Sequence, residues 1–239
     1  MQIKDIVKAR ESINSYIHKT PMISSRNLDE LIGGKNYFKC ENLQKTGSFK
    51  ARGAFNNILS NLDENRKNGI IAFSSGNHAQ AVSYAALITR IRATIVMLES
   101  VNPIKLAATR SYGAKIVLFG NDSGEMERKA YEIIKKENLN LIHPFEDFET
   151  IAGQGTIGLE IIEDFKDNID EIYIPIGGGG LISGVAVSIK NLSPKTKVIG
   201  IQPETSNSMY KSIKNNRISS VDSCNTIADG LVAKSPGEN

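Results

Sequence analysis

From Gly69 onward, short apolar runs rich in β-branched residues alternate with longer segments whose apolar positions repeat at helical spacing. The apolar runs predict strands over Ile70–Ser74, Ala93–Leu98, Lys115–Phe119, Leu139–His143, Glu171–Ile176 and Lys197–Gln202. The intervening segments predict helices over Asn77–Thr89, Pro103–Tyr112, Ser123–Glu137, Gly153–Phe165, Leu181–Lys190 and Ser206–Asn215. Nearly continuous apolar strands joined by helices belong in parallel sheets covered on both faces, so the pattern predicts an α/β protein. The first third differs: a helix from Ile3 to Tyr16 leads to Thr20-Pro21, a strand near Tyr37–Cys40 and a helix opening near Ser48. Asn191-Leu192-Ser193-Pro194 and the stretch from Asn215 to Asn225 read as turns or loops, and no internal repeat or low-complexity tract interrupts the pattern.

Composition narrows the function classes. The 239 residues are 40% hydrophobic and 23% charged, too apolar for disorder and sufficient for one large domain or two small ones. A net charge of +3, with no basic stripe, predicts no nucleic-acid partner. No apolar run approaches a membrane span, and Met1-Gln2-Ile3-Lys4-Asp5 does not open a signal peptide, so a soluble cytoplasmic protein is expected. Cys40 and Cys224 have no metal-ligand or disulfide-framework spacing. The end, Lys234-Ser235-Pro236-Gly237-Glu238-Asn239, follows an apolar stretch with no docking helix and reads as a cut.

Three segments are suited to chemistry. Gly177, Gly178, Gly179 and Gly180 stand between an apolar strand and a helix opening at Leu181. Consecutive glycines let backbone N–H groups converge on an anion at a helix N-terminus; a flexible loop or tight helix–strand packing is the alternative. GxGxxG fails in both frames and no Gly-Lys-Ser/Thr follows, so a phosphate there would belong to neither a dinucleotide nor ATP. In Gly47-Ser48-Phe49-Lys50-Ala51-Arg52-Gly53, Ser48 suits a helix cap, which places Lys50 in the first turn against the helix dipole. Burial would make that lysine a neutral, Schiff-base-forming amine, whereas exposure would leave it a solvated surface residue. The turn Ser74-Ser75-Gly76-Asn77-His78 either binds a carboxylate at a helix start or merely caps the helix. With three histidines and no GxSxG, HExxH or EF-hand pattern, a serine hydrolase and a built-in metal are disfavoured.

Together these segments resemble the fold-type-II pyridoxal-phosphate enzymes, specifically the threonine/serine dehydratase and serine racemase group. The resemblance runs through Lys19-Thr20-Pro21, Glu41 to Lys50, Ser74 to Gln80, Tyr112-Gly113-Ala114, His143-Pro144-Phe145, Ile151 to Thr156, the tetraglycine, and Thr226 to Gly230. It implies two three-layer α/β domains with mostly parallel sheets, tryptophan-synthase-β-like. The large domain would comprise 1–67 with 148–239, its C-terminal part missing, and the small inserted domain 68–147. It implies pyridoxal 5'-phosphate in the cleft, covalently held by Lys50 beside Phe49, with Asn77 on the ring hydroxyl and Gly177 to Gly180 plus the Leu181 amide on the phosphate. Ser74, Ser75, Asn77 and His78 would receive a small β-hydroxy amino acid. Lys50 would remove its α-proton, giving 2-oxobutanoate or pyruvate and ammonia, in a cytoplasmic homo-oligomer, dimer or tetramer, of amino-acid metabolism such as isoleucine biosynthesis.

Departures from the group's patterns bear on the choice within it. Ser75 stands where racemases carry Ser and dehydratases commonly Ala, and a hydroxyl opposite Lys50 would permit racemisation or hydroxyaspartate dehydration. Against this, Gly124 replaces a racemase substrate-gripping Arg, Gln202, Ser206 and Ser208 do not reproduce the racemase metal site, and Ala233 to Glu238 reads like the dehydratases. Dehydratase is the favoured expectation. An inactive fragment that serves only as a binding or oligomerisation module is the alternative from another class.

Overall fold

The computed structural model describes residues 1–165, 168–222 and 224–238. Ser223 and Asn239, inside the stretches read above as loop and chain end, lie outside the described residues. Apolar residues three and four apart let α1 (Ile3–Ile13) bury Ile6, Ala9 and Ile13. It leads to β1 (Met22–Ser24), α2 (Arg26–Ile32) and β2 (Tyr37–Lys39), the two strands pairing antiparallel. Two helices follow, α3 (Lys50–Ser60) and α4 (Leu62–Asn68). The chain then alternates: β3 (Ile70–Phe73), α5 (Asn77–Thr89), β4 (Ala93–Met97), α6 (Pro103–Ser111), β5 (Lys115–Leu118), α7 (Ser123–Glu137) and β6 (Asn140–Leu141). The last part holds α8 (Phe148–Asp164), β7 (Glu171–Pro175), α9 (Gly180–Leu192), β8 (Lys197–Ile201) and α10 (Ser208–Asn215).

Strands β5, β4, β3 and β6 form one parallel sheet in that order. Side chains alternate across it: Ile70, Ala72, Ile95 and Met97 pack toward α3 and α5, whereas Ile71, Phe73 and Val96 pack against Met126 and Ala130 of α7. Helix-covered faces of this kind explain why the strands read as unbroken apolar runs. A second parallel pair, β7 with β8, lies against α8 and α9 through Ile157, Ile161, Ile174, Val185 and Ile189.

Helices α3, α8 and α9 cross closely because glycines face their backbones. A Cβ on Gly153 would stand 2.6 Å from the Arg52 carbonyl oxygen, and one on Gly184 would stand 2.6 Å from the Gly155 nitrogen. At this crossing the guanidinium of Arg52 is wholly buried. It reaches Glu41 at 2.8 Å and Glu160 at 2.6 Å, and Thr156 Oγ1 at 3.2 Å. Lys39 extends the network to Glu160 at 2.7 Å and Asp164 at 3.5 Å, and Lys19 meets Asp164 at the surface. Every buried charge here has an opposite partner, the condition under which burial of ions is tolerated.

The structure corrects several expectations. Ser48 does not cap α3: Phe49 occupies the cap position without a side-chain bond, and the buried Ser48 hydroxyl has no hydrogen-bond partner among the described residues. β6 is laddered only at Asn140–Leu141, because the chain turns away after Ile142 donates to Ile71. α8 begins five residues earlier than expected, where Asp147 accepts the N–H groups of Glu149 and Thr150. α1 stops at Ile13, short of Tyr16.

Replacing Arg52 by Met leaves Glu41 and Glu160 without their central partner and is expected to lower stability by about 3–5 kcal/mol. Lys19→Met, at an exposed pair, is expected to change it by less than about 1 kcal/mol. Urea unfolding of the two variants checks the contrast.

Candidate active site

The N-terminus of α3, the turn from β3 to α5, the loop from β6 to α8, the turn from β7 to α9 and the segment 224–235 surround one cleft of about 730 Å³. Its walls carry Phe49, Lys50, Ser74, Ser75, Asn77, His78, Gly177, Gly178, Gly179, Gly180 and Leu181. Every site residue singled out in the sequence therefore faces the same space.

Lys50 is the first residue of α3, and its Nζ donates to the carbonyl of Pro144 at 2.6 Å. Burial lowers its pKa to about 8. The solvated-surface alternative does not survive this placement, and about half of such amines are neutral near pH 8.

The glycine turn enters α9 with Gly179 in the left-handed region, at φ 105°, and no side chain caps the helix. The first-turn N–H groups are therefore not spent on a side chain and carry the positive end of the helix dipole into the cleft. Tight packing also operates here: a Cβ on Gly178 would enter the Phe145 ring, and one on Gly180 would stand 2.8 Å from the Phe145 carbonyl oxygen. Glycine thus serves both an open, donor-lined turn and the close seat of Phe145 beneath it.

At α5 the cap position is Gly76, again without a side-chain cap, so the capping alternative fails. Ser74 Oγ accepts the Gly76 N–H at 3.2 Å, and Ser75 Oγ accepts that of Leu98 at 2.8 Å. Ser75 also lies 3.9 Å from the Met126 sulfur, a weak acceptor for its proton. The Asn77 side chain is exposed to the cleft. His78 is 3% exposed, and its Nε2 lies 2.8 Å from the Ile142 carbonyl, which fixes that nitrogen as the donor. Burial first, and then the neighbouring Lys50, push its pKa down to about 3. Its imidazole is accordingly neutral and has no N–H to spare, so a carboxylate at this turn would use backbone donors at the start of α5.

Lining residues that sequence reasoning did not assign to the site include Leu98, Met126, Glu127 and Pro144. His143-Pro144-Phe145 was visible only as a motif of the resemblance. The segment 224–235 closes the other side, joined to the sheet region by ion pairs Lys105–Asp229 and, at 3.8 Å, Lys234–Asp122.

Residues 13–239 match the family model described as pyridoxal-phosphate dependent enzyme. The chain is 47% identical over 236 residues to the L-threonine ammonia-lyase of Thermotoga maritima, covering 99% of itself and 59% of that relative. It is 42% identical over 232 residues to the serine racemase of Dictyostelium discoideum, covering 96% of itself and 71% of the relative. Among solved structures it resembles a threonine deaminase from T.th., with TM-score 0.93 and 41% identity, covering 100% of this chain and 76% of that one. The fold is that of its fold-type-II neighbours.

His78 is neutral when folded and protonates below about 6.5 when unfolded, so its contribution is complete above that pH and is lost as pH falls toward 3. Between pH 6.5 and 5, above the carboxylate range, wild-type stability should fall by up to about 1.4 kcal/mol per pH unit from this group. His78→Gln, which keeps a donor for Ile142, should flatten that slope in urea titrations. An unchanged slope would remove His78 as its source.

Proposed function

The chain belongs to the family of pyridoxal-phosphate dependent enzymes, and we propose that it deaminates L-threonine or L-serine to 2-oxobutanoate or pyruvate and ammonia. The observation that carries this reading is a half-buried lysine of depressed pKa sharing one cleft with two uncapped helix N-termini. The donor set suits the cofactor: an amine near neutrality for its aldehyde, and the glycine turn's N–H groups for its phosphate. A cleft of about 730 Å³ has room for cofactor and substrate together.

Lys50 would hold the cofactor covalently, with Phe49 beside it, Gly177 to Gly180 and the Leu181 amide on the phosphate, and Asn77 on the ring hydroxyl. When bound, pyridoxal phosphate supplies an electron sink that weakens the bonds at the substrate α-carbon. Backbone donors around Ser74, Ser75, Asn77 and His78 would orient the substrate carboxylate. Lys50 Nζ, once free, would take the α-proton, and loss of the β-hydroxyl followed by hydrolysis yields the 2-oxo acid and ammonia.

Domain organisation forms part of the proposal: 68–147 as the small domain, supported by a four-stranded sheet lying within it, and 1–67 with 148–239 as the large one. We place the enzyme in the cytoplasm as a homo-oligomer; free Cys40 and Cys224 agree with a reducing compartment. Among the described residues no helix is long and apolar enough to cross a membrane.

One observation favours a second reading. The Ser75 hydroxyl leaves its proton to a thioether sulfur, so that proton is loosely held in the cleft and would be available to a substrate carbanion. Racemisation, or dehydration of a 3-hydroxyaspartate, would use it.

Turnover of L-threonine and L-serine with added cofactor, following 2-oxo acid and D-serine together, tests these readings. Release of 2-oxo acid without D-serine is expected, with Lys50→Ala lowering it about 10³-fold or more. Accumulation of D-serine alone, abolished in Ser75→Ala, selects racemisation. Absence of both products from the folded chain contradicts the proposal that this chain is itself a catalyst.

A further inference from the structure

Between β6 and α8, Pro144 and Phe145 meet different parts of the cleft, and His143 stands just before them. The Pro144 carbonyl accepts from Lys50 Nζ at 2.6 Å. The Phe145 ring lies under Gly178, and its backbone supports Gly180. His143, 9% exposed, shapes the turn that carries them: its Nδ1 accepts the N–H of Glu146 at 2.9 Å and that of Phe145 at 3.3 Å.

An Nδ1 that accepts two backbone N–H groups carries no proton, so the ring proton is on Nε2, which stands 3.4 Å from the Glu146 carboxylate. Phe73 and Phe145 pack edge-on to the ring at 5.4 and 4.9 Å between centroids, and Thr150 Oγ1 donates to the His143 carbonyl at 3.2 Å. These contacts allow the ring little freedom.

We propose that His143 is a positioning residue for both halves of the site: its unprotonated Nδ1 holds the turn that presents the Pro144 carbonyl to Lys50 and seats Phe145 beneath the glycine loop. The inference rests on reading Lys50 as the cofactor lysine. A proton on Nδ1 would set a third donor against two existing donors, so the turn is compatible only with the neutral ring. The surroundings favour that form: burial lowers the pKa of His143, Lys50 adds to the effect, and Glu146 and Asp147 oppose it. His78 also faces the ring, and Glu127 and Tyr131 of α7 face Glu146. Because burial sets the depressed pKa of Lys50, a loosened turn that admits water to the amine should raise it.

The test compares His143→Phe, which keeps the shape and removes the acceptor, with His143→Asn, whose amide oxygen replaces Nδ1 as acceptor. Acetylation of Lys50 against pH, read by peptide mass spectrometry in the cofactor-free chain, gives its midpoint. Borohydride trapping of subsaturating pyridoxal phosphate gives its capture at Lys50. His143→Phe should raise the midpoint by about one unit and lower capture about tenfold, and His143→Asn should return both to near wild type. A His143→Phe chain indistinguishable from wild type, or a His143→Asn chain equally impaired, overturns the proposal. If His143→Phe does not fold, nitrogen NMR of the wild-type ring decides: a proton on Nε2 alone at pH 7 supports it, and one on Nδ1 overturns it. Failure of wild type to capture pyridoxal phosphate on Lys50 would instead overturn the reading of the site, while the acetylation midpoints would still judge His143.

Discussion

The buried guanidinium of Arg52, clasped by Glu41 and Glu160, is the constraint on which the site's geometry depends. It lies two residues beyond Lys50 on the same helix, where α3 meets α8 and the chain before α3 folds back. An ion sealed from water tolerates little displacement, because each lost contact leaves a charge unsolvated. The first turn of α3 is therefore fixed in register against α8, and glycines at the crossing let the backbones approach closely enough for the carboxylates to reach. Lys50 inherits that fixed position.

Electrostatics inside the cleft follow from the same architecture. Parallel strands feed helices at one end of each sheet, so α5 and α9 both begin at the cleft, and both begin without side-chain caps. Their unspent N–H groups suit anions, one at each side of a lysine whose charge is disfavoured by burial. His78 is kept neutral, which leaves the anionic groups of a ligand to backbone donors. The turn after β6 ties these parts together, touching Lys50 through a carbonyl and the glycine loop through a ring.

Much of this was legible in the sequence, for identifiable reasons. Helices α5 and α7 have the bounds that their periodicity predicts, since each combines a buried stripe with clear breaks. Strands β3, β4 and β5 were readable because they are apolar and punctuated by turns. By contrast, β1 has three residues, α2 buries none of its side chains and α4 is almost wholly polar, so none leaves a pattern. Ser48 looked like a cap because its chemistry fits one, yet its hydroxyl is buried without a partner among the described residues. In the site, the glycine turn announced itself by spacing, whereas Lys50 offered only a place in the first turn of a helix, and resemblance supplied its role. The ion pair from Arg52 to Glu160 joins residues far apart in sequence, and the Pro144 carbonyl is a backbone group that no side-chain pattern reveals.

We propose that one amine, held by this scaffold and partly uncharged near neutral pH, is where the cofactor attaches. Incubating the chain with pyridoxal phosphate, reducing with borohydride and mapping the modified peptides addresses it directly. A single dominant adduct on Lys50 is expected at cofactor concentrations that leave the exposed lysines untouched. Adducts spread over surface lysines with Lys50 unmodified would contradict it.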